Sequence, residues 1–293
     1  MTTLGDIAEL VRAPAALSVP GDPLAGAAAA GTLGARTAGL AAASACLYWA
    51  GMAANDWADR ELDAKERPER PIPSGRVPPG TALGLAVALR AAGLTLAGLA
   101  GGRRALAVAV PLAGLVWWYD TELKGTAAGP AAMAACRGLD VLLGAGGSPR
   151  RRAAVPALTI AAHTYTVTAL SRREVTGGDP LLPAATLAGT AAVTAVPALA
   201  ALRAPSQGAP AWWHRVLPAG LAGWYAAGYG IAQVRAVKEP GAGNMRAAVG
   251  SGITGLPALQ GALIARSGAA AAGMATAAAA PLGRRLARWL SPT

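Results

Sequence analysis

The sequence contains no phenylalanine, only two cysteines and only 15 acidic residues among 293. Cys46 and Cys136 lie far apart inside apolar segments, which excludes a disulfide framework and a paired-cysteine metal site. Charged residues make up only 14% of the chain, and 54% of it is apolar. This balance lies outside the usual soluble range. The scarcity of charge therefore excludes an ordinary soluble domain, and the lack of phenylalanine means that any apolar cavity is lined mainly by Leu, Val, Ala, Trp and Tyr.

What the chain has instead is a series of apolar runs long enough to cross a bilayer. They predict an all-α, polytopic membrane bundle of about nine helices that forms a single domain over residues 1–293. Glycines and Pro257 interrupt the ninth run, which leaves open whether one of the last two is re-entrant. The predicted helices lie near residues 13–31, 33–54, 79–100, 104–119, 127–147, 153–170, 181–202, 212–235, 247–266 and 268–283.

The net charge of +11 comes from basic residues in short loops between the apolar runs. This distribution favours a lipid bilayer as the partner and argues against nucleic acid. The loops at 55–77, 119–126, 171–179 and 235–246 alternate onto one side, which holds more lysine and arginine than the other. The bias predicts a multi-pass plasma-membrane protein with this face in the cytoplasm. Asp6 and Glu9 precede Arg12, an order unlike a cleaved signal peptide, so we expect the N-terminal segment to be retained.

Acid is concentrated in one place, because six of the 15 acidic residues fall between Asp56 and Glu69. If the second helix continues through this run, Asn55, Asp56, Asp59 and Asp63 share one narrow stripe. Like charges at a membrane surface need cations, and Mg²⁺ suits carboxylates completed by water and phosphate oxygens. The basic residues that follow can bind the remaining phosphate charge. The alternative interpretation is a solvated loop between helices.

The run NDWADRELD, followed by ERPERPIPSGRV, resembles the first motif of the UbiA superfamily of intramembrane prenyltransferases. The resemblance implies transfer of an isoprenyl group from an allylic isoprenyl diphosphate to an aromatic or other lipophilic acceptor. It also implies that the stripe from Asn55 to Asp63 holds Mg²⁺ and the diphosphate, and that Arg67 and Arg70 bind phosphate. The segments RAPAALSVPGDPLAG, RGLD, SRREVTGGD and SPT resemble the EboC-like subgroup of bacterial metabolite gene clusters, whose substrate is not settled.

Two further loops lie where the family pattern places functional residues. In the segment from Tyr119 to Lys124, the resemblance makes Lys124 a phosphate ligand and Tyr119 a wall for the isoprenoid or its cation. The alternative is an interfacial aromatic residue followed by a snorkelling cation. The family's second acidic cluster is reduced here to two carboxylates five residues apart, and we expect them to bind a second Mg²⁺. Two arginines precede them and can either bind phosphate or serve as a positive-inside anchor. These four residues are Glu174, Asp179, Arg172 and Arg173.

Charges inside helices are costly in a bilayer and need separate explanations. Arg137 and Asp140 are spaced i, i+3 and are expected to pair on one helix face, either lining the acceptor pocket or only stabilising the packing. Prolines interrupt the start of the first predicted helix, so the side chain of Asp22 there can reach a polar cavity. His163 is more typical of a hydrogen-bonded structural residue than of an acid or base, and the sequence shows no partner for Arg90.

We therefore predict a Mg²⁺-dependent prenyltransferase whose catalytic set is Asp56, Asp59, Asp63 and Tyr119. An apolar cavity would protect the allylic cation from water. The residue that removes the acceptor proton stays open among Tyr119, Asp63 and Asp140. The alternative function is a non-catalytic transporter or flippase on the same scaffold. The sequence does not specify the acceptor, the isoprenoid length or the oligomeric state.

Overall fold

The computed structural model describes residues 2–13, 18–146, 150–202 and 213–290, and this part of the chain is helical without a strand. A π-helical turn at Tyr119–Leu123 and a 3₁₀ turn at Arg150–Arg152 complete the helical set. The α-helices are α1 Leu4–Leu10, α2 Gly21–Ala30, α3 Ala35–Ala58, α4 Arg60–Glu66, α5 Pro79–Trp118, α6 Gly129–Gly144, α7 Ala154–Ser171, α8 Leu181–Leu202, α9 Trp213–Lys238, α10 Ala242–Arg266 and α11 Ala270–Leu290.

These helices confirm the all-α prediction, with shifts at several boundaries. The first predicted helix begins at Gly21 rather than at residue 13, and residues 14–17, 147 and 212 of the predicted helices lie outside the described residues. The interrupted ninth run forms one helix of 25 residues through Pro257. By length and apolar composition, four helical segments of the described chain can cross a membrane: Ala35–Ala58, Pro79–Leu123, Leu181–Leu199 and Ala242–Arg266.

The predicted third and fourth helices form the two halves of α5, which non-helical backbone at Gly102 separates. The backbone there has φ 63° and ψ −157°, a conformation that is open essentially only to glycine. The break falls between the two predicted segments, so the sequence correctly places the interruption. The two halves lie against each other, since the guanidinium of Arg90 in the first half is over the ring of Trp117 in the second, and the second half returns the chain to the polar loops at Tyr119.

The bundle consists of two packed groups of helices. Helix α3 packs along α5, and a second group forms where α9 packs against α8 and α10, and α10 against α11. Helix α2 contacts α6 and α10 and so joins the groups. At Gly26 a Cβ atom would lie 1.8 Å from the carbonyl oxygen of Val141, so only glycine permits this approach of α2 to α6. The contact brings polar residues of α2 against α6 in the bundle interior.

Candidate active site

The four polar loops that the sequence assigns to one side meet in the structure. The guanidinium of Arg172 donates to the carbonyl oxygen of Thr126 at 2.6 Å, and the Gly178 N–H donates to the Pro240 oxygen at 3.0 Å. A salt bridge of 2.5 Å from Lys124 to Asp59 joins the Tyr119–Leu123 turn to the first acidic motif. The alternation of helices therefore predicted correctly which loops lie together.

The first acidic motif forms an almost continuous helical path. Helix α3 ends at Ala58 and α4 begins at Arg60, but the N–H of Asp59 still donates to the Asn55 oxygen at 2.9 Å and that of Asp63 to the Asp59 oxygen at 2.8 Å. The helical path of the predicted stripe thus continues although the chain passes from α3 to α4. Asp56 and Asp63 are 4% and 3% exposed, whereas the side chain of Asp59 is 24% exposed.

Cations of the protein compensate these carboxylates. Nη1 of Arg70 lies 3.3 Å from Asp56 Oδ1 and 2.8 Å from Asp63 Oδ2, so one guanidinium bridges two buried acids. Arg12, whose backbone has a positive φ of 48°, adds a second contact to Asp56 at 3.0 Å. Since Asp59 binds Lys124, each aspartate of the motif contacts a basic side chain.

The donor set fits a hard divalent cation, which prefers carboxylate and amide oxygens. The bridging guanidinium of Arg70 shows that positive charge is favourable between Asp56 and Asp63. Nearby, Asp120 Oδ2 is buried without a hydrogen-bond partner among the described residues. Within the described ranges, no three His, Cys, Asp or Glu side chains form a ready-made metal cluster.

Glu174 of the second acidic loop lies within electrostatic range of Arg67, which follows the first motif. Partial burial raises the pKa of its carboxyl group, and the nearby cations Arg246 and Arg67 act in the opposite direction. Asp179 is exposed, and its Oδ1 accepts a hydrogen bond of 2.8 Å from the first N–H of α8, which is the role of a helix cap. Arg173 is exposed. The two predicted metal ligands of this loop therefore differ: Glu174 has cations nearby, and Asp179 caps α8.

A cavity of about 90 Å³ extends from the turn at Tyr119 into the bundle. Tyr119 and Asp120 line it beside the polar loops, and Arg137 and Asp140 line it on α6. The predicted isoprenoid wall and the predicted acceptor-pocket residues thus face the same space. The other lining residues are mainly apolar and come from α3, α5, α6 and the segment before α2.

The predicted pairing of Arg137 with Asp140 is wrong. The Nε atom of Arg137 lies 2.8 Å from Asp22 Oδ2 on α2, and Asp140 accepts a hydrogen bond of 2.6 Å from the hydroxyl of Ser44 on α3. The close approach of α2 to α6 brings Asp22 to the guanidinium, so this contact between helices replaces the local i, i+3 pair.

Comparison with known proteins identifies the family. Residues 17–240 match the UbiA prenyltransferase family, which is more than half of the chain. The chain belongs to the UbiA prenyltransferase family. It is therefore a multi-pass membrane protein, in agreement with its apolar helices.

Curated relatives of this UbiA protein include two synthases of digeranylgeranylglyceryl phosphate. The one from Ignicoccus hospitalis is 43% identical over 118 residues, which are 40% of this chain and 39% of the relative. The one from Methanothrix thermoacetophila is 48% identical over 75 residues, 26% and 28% of the two chains. The bacteriochlorophyll synthase 33 kDa chain of Rhodobacter capsulatus is 40% identical over 70 residues, 24% and 23% of the chains. The matched stretches thus span less than two fifths of these relatives.

Solved structures extend the similarity to the whole UbiA fold. A digeranylgeranylglyceryl phosphate synthase structure has a TM-score of 0.61 at 18% identity and covers 90% of this chain and 98% of its own. The apo structure of a UbiA homologue from Aeropyrum pernix K1 has a TM-score of 0.62 at 20% identity, with coverage of 85% and 96%. At these identities the similarity establishes the fold, and the chemistry has to be inferred from the site residues.

Two residues of the candidate site in this UbiA protein were not predicted from its sequence. Asp120 directly follows Tyr119, and the scarcity of acid could have singled it out. Arg12 lies 44 residues from its partner Asp56, and no local pattern indicates that contact. Arg90 has a partner after all, since its guanidinium lies 4.5 Å from the ring centroid of Trp117.

His163 lies outside the candidate active site of this UbiA protein. Its Nδ1 is 2.8 Å from the hydroxyl of Tyr225, and its ring contacts Tyr225 and Tyr229 edge-on. His163 is buried in this aromatic cluster and does not line the cavity. The contacts agree with the structural role that the sequence indicated.

Proposed function

We propose that the protein transfers an isoprenyl group from an allylic diphosphate to a lipophilic acceptor within the membrane. The observation that supports this best is the meeting of charged loops with an interior cavity at Tyr119 and Asp120. Such an arrangement suits a substrate with a charged head and an apolar tail. The positive bias of the loops favours the plasma membrane with the site facing the cytoplasm.

The diphosphate head is bound by basic residues of three loops and by Mg²⁺. Arg70 and Lys124 already contact the acidic motif and can exchange carboxylate for phosphate oxygens. Arg67, Arg172 and Arg173 supply further positive charge from the neighbouring loops. The residues that would hold Mg²⁺ are Asn55, Asp56, Asp59 and Asp63, with Glu174 and Asp179 in the second loop. When bound, Mg²⁺ supplies charge stabilisation for the departing diphosphate.

The cavity suits the step that follows ionisation of the donor. Ionisation of the donor leaves an allylic cation, which water would convert to an alcohol. Apolar side chains such as Leu47, Leu112 and Val116 line the cavity and reduce the access of water to the cation. The face of Tyr119, at the same cavity, is suited to stabilise positive charge by a cation–π interaction.

The family does not determine the acceptor. The relatives are named for unlike products, digeranylgeranylglyceryl phosphate and bacteriochlorophyll. The acceptor of this chain must therefore be inferred from its own cavity.

The first test is binding and cleavage of geranyl, farnesyl and geranylgeranyl diphosphates by the purified protein in nanodiscs, with and without Mg²⁺. We expect Mg²⁺-dependent diphosphate release that is lost in Asp56→Ala and Asp59→Ala. Glu61→Ala is the matched control, because Glu61 lies in the same motif with its side chain 87% exposed. Accumulation of a prenyl diphosphate in vesicles without any cleavage would instead support the transporter.

A further inference from the structure

Asp120 is a buried acid at the point where the polar loops meet the cavity. It is only 2% exposed, and it lies in the π-helical turn Tyr119–Leu123, a distortion that is frequent at functional sites. Its carboxylate has no basic side chain within 4 Å in the described chain. Its Oδ2 atom accepts no hydrogen bond from a described residue. Such a group is unfavourable in a folded protein unless a ligand compensates it.

A neighbour on α3 shows where the unpaired oxygen points. Gly51 lines the cavity, and a Cβ atom at Gly51 would lie 3.3 Å from Asp120 Oδ2. The same Cβ atom would lie 2.8 Å from Cγ1 of Val116, which also lines the cavity. The oxygen therefore faces the cavity wall at Gly51, and the absence of a side chain at this position keeps the space beside Oδ2 open.

Helix α3 relates this space to the acidic motif. Gly51, Asn55 and Asp59 follow one another at i, i+4 spacing, so they share one face of the helical path. The path is continuous here, because the N–H of Asp59 donates to the Asn55 oxygen. Gly51 lies one turn, about 6 Å, before Asn55. Asp120 Oδ2 is therefore about one turn deeper in the bundle than the first predicted metal ligand, at the entrance of the cavity.

This position matches one atom of the proposed donor. A prenyl diphosphate with its head at the acidic motif and its tail in the cavity places C1 between the two. Positive charge develops on the allylic carbons when the bond from C1 to the diphosphate oxygen breaks. A carboxylate beside these carbons attracts that charge and repels the intact diphosphate. The carboxylate of Asp120 is therefore more favourable in the transition state than in the bound ground state.

We propose that Asp120 is a further catalytic residue, which stabilises the allylic cation by electrostatic contact at the entrance of the cavity. The proposal rests on the proposed function and deepens it. In this step the bond from C1 to oxygen breaks and its electron pair leaves with the diphosphate. The carboxylate forms no bond and transfers no proton. Tyr119 lines the same cavity from the preceding position, so its ring and the carboxylate act on one charge.

The first measurement uses a stable cation in place of the short-lived one. Farnesyltrimethylammonium carries a permanent positive charge next to C1, and its neutral analogue with a tert-butyl group has the same shape. Binding of each compound is measured in nanodiscs with Mg²⁺ and inorganic diphosphate, and binding to empty nanodiscs is subtracted. We expect the wild type to bind the ammonium compound at least about tenfold more tightly than the neutral one. In Asp120→Asn this preference should fall to about threefold or less, the part that Tyr119 supplies.

The second measurement separates a catalytic role from a structural or metal-binding one. Asp120→Asn keeps the shape of the side chain, and we expect it to lower kcat for diphosphate release about 100-fold or more. Inhibition by inorganic diphosphate should be unchanged or stronger, because the variant removes a negative charge. Its Tm should equal or exceed that of the wild type, since a buried charge without a partner is lost. Glu122→Gln is the matched control, because Glu122 is exposed in the same turn, and its kcat should stay within about threefold.

Five results would overturn the assignment. Equal affinity of the wild type for the two compounds, or an undiminished preference in Asp120→Asn, excludes contact with the cation. A kcat of Asp120→Asn within about threefold of the wild type excludes the catalytic role and leaves the proposed function intact. Weaker inhibition of this variant by inorganic diphosphate would make Asp120 a metal ligand instead, and a clearly lower Tm would show that the carboxylate has a stabilising partner. If the wild type releases no diphosphate from any prenyl diphosphate, the proposed function itself fails, and the role of Asp120 fails with it.

Discussion

Replacing Lys124 by methionine tests whether this side chain binds substrate phosphate or only stabilises the fold. Methionine keeps much of the length and apolar volume of lysine but removes the charge. In the structure the ammonium group contacts Asp59 at 2.5 Å, and the side chains of the two residues are 26% and 24% exposed. The variant therefore breaks one partly exposed ion pair and leaves the surrounding packing in place.

The two roles predict different magnitudes. Solvent screens a pair with this exposure, so its loss should destabilise the fold by about 1 kcal/mol at most, which is a fall in Tm of about 2–4 °C. A cation placed against the departing diphosphate contributes more, because loss of one preorganised donor typically lowers kcat about 10²–10³-fold. A large loss of turnover with a small fall in Tm is thus the signature of phosphate binding by Lys124.

The assay is Mg²⁺-dependent diphosphate release in nanodiscs, together with inhibition by inorganic diphosphate and thermal unfolding in detergent. We expect Lys124→Met to lower kcat/KM about 100-fold or more and to weaken inhibition by inorganic diphosphate, while Lys124→Arg retains most activity. Lys65→Met is the control, because Lys65 is exposed on α4 beside the same motif. A kcat/KM for Lys124→Met within about threefold of the wild type would refute the phosphate role.

Two further predictions concern the scaffold. Gly102→Ala should lower the free energy of unfolding by about 1–3 kcal/mol, because its backbone conformation is strained for other residues. Gly114→Ala, with open space around its Cβ in the same helix, should be neutral or stabilising, and equal Tm values for the two variants would contradict the argument. Hydrogen bonds from the Thr3 backbone and hydroxyl, and then Arg76, lower the pKa of Asp6 from its ordinary 3.8. The resulting stability is present above pH 3.8 and lost as the pH falls through the lower folded pKa, so hydrogen-exchange protection of α1 should decrease there; unchanged protection factors down to pH 2 would exclude this role.

The sequence predicted the helices well because long apolar runs leave few other structures in a bilayer. It also predicted which loops meet, since alternate helices return the chain to the same side. The acidic motif was identifiable because acid is scarce elsewhere. These features depend on the order of residues in the sequence, and none requires knowledge of how the helices pack.

Contacts that depend on packing between helices were not predictable in the same way. Gln260 binds Asp22 across 238 residues, and the approach of α2 to α6 brings Asp22 to Arg137. The local i, i+3 rule predicted Asp140 for Arg137 and was wrong, because a carboxylate from another helix occupies the guanidinium. A weak local preference of a few tenths of a kcal/mol does not determine a pairing inside a packed bundle.

Two of the buried aspartates lack a compensating charge, which indicates a role other than stabilising the fold. Six of the eight aspartates are buried, whereas none of the seven glutamates is. Four of the buried aspartates have a salt bridge, namely Asp6, Asp22, Asp56 and Asp63. The other two, Asp120 and Asp140, have no basic side chain within 4 Å in the described chain. Each has an unpaired oxygen and lines the same cavity. Because buried carboxylates without compensation are unfavourable, we infer that a substrate or cation in this cavity completes both.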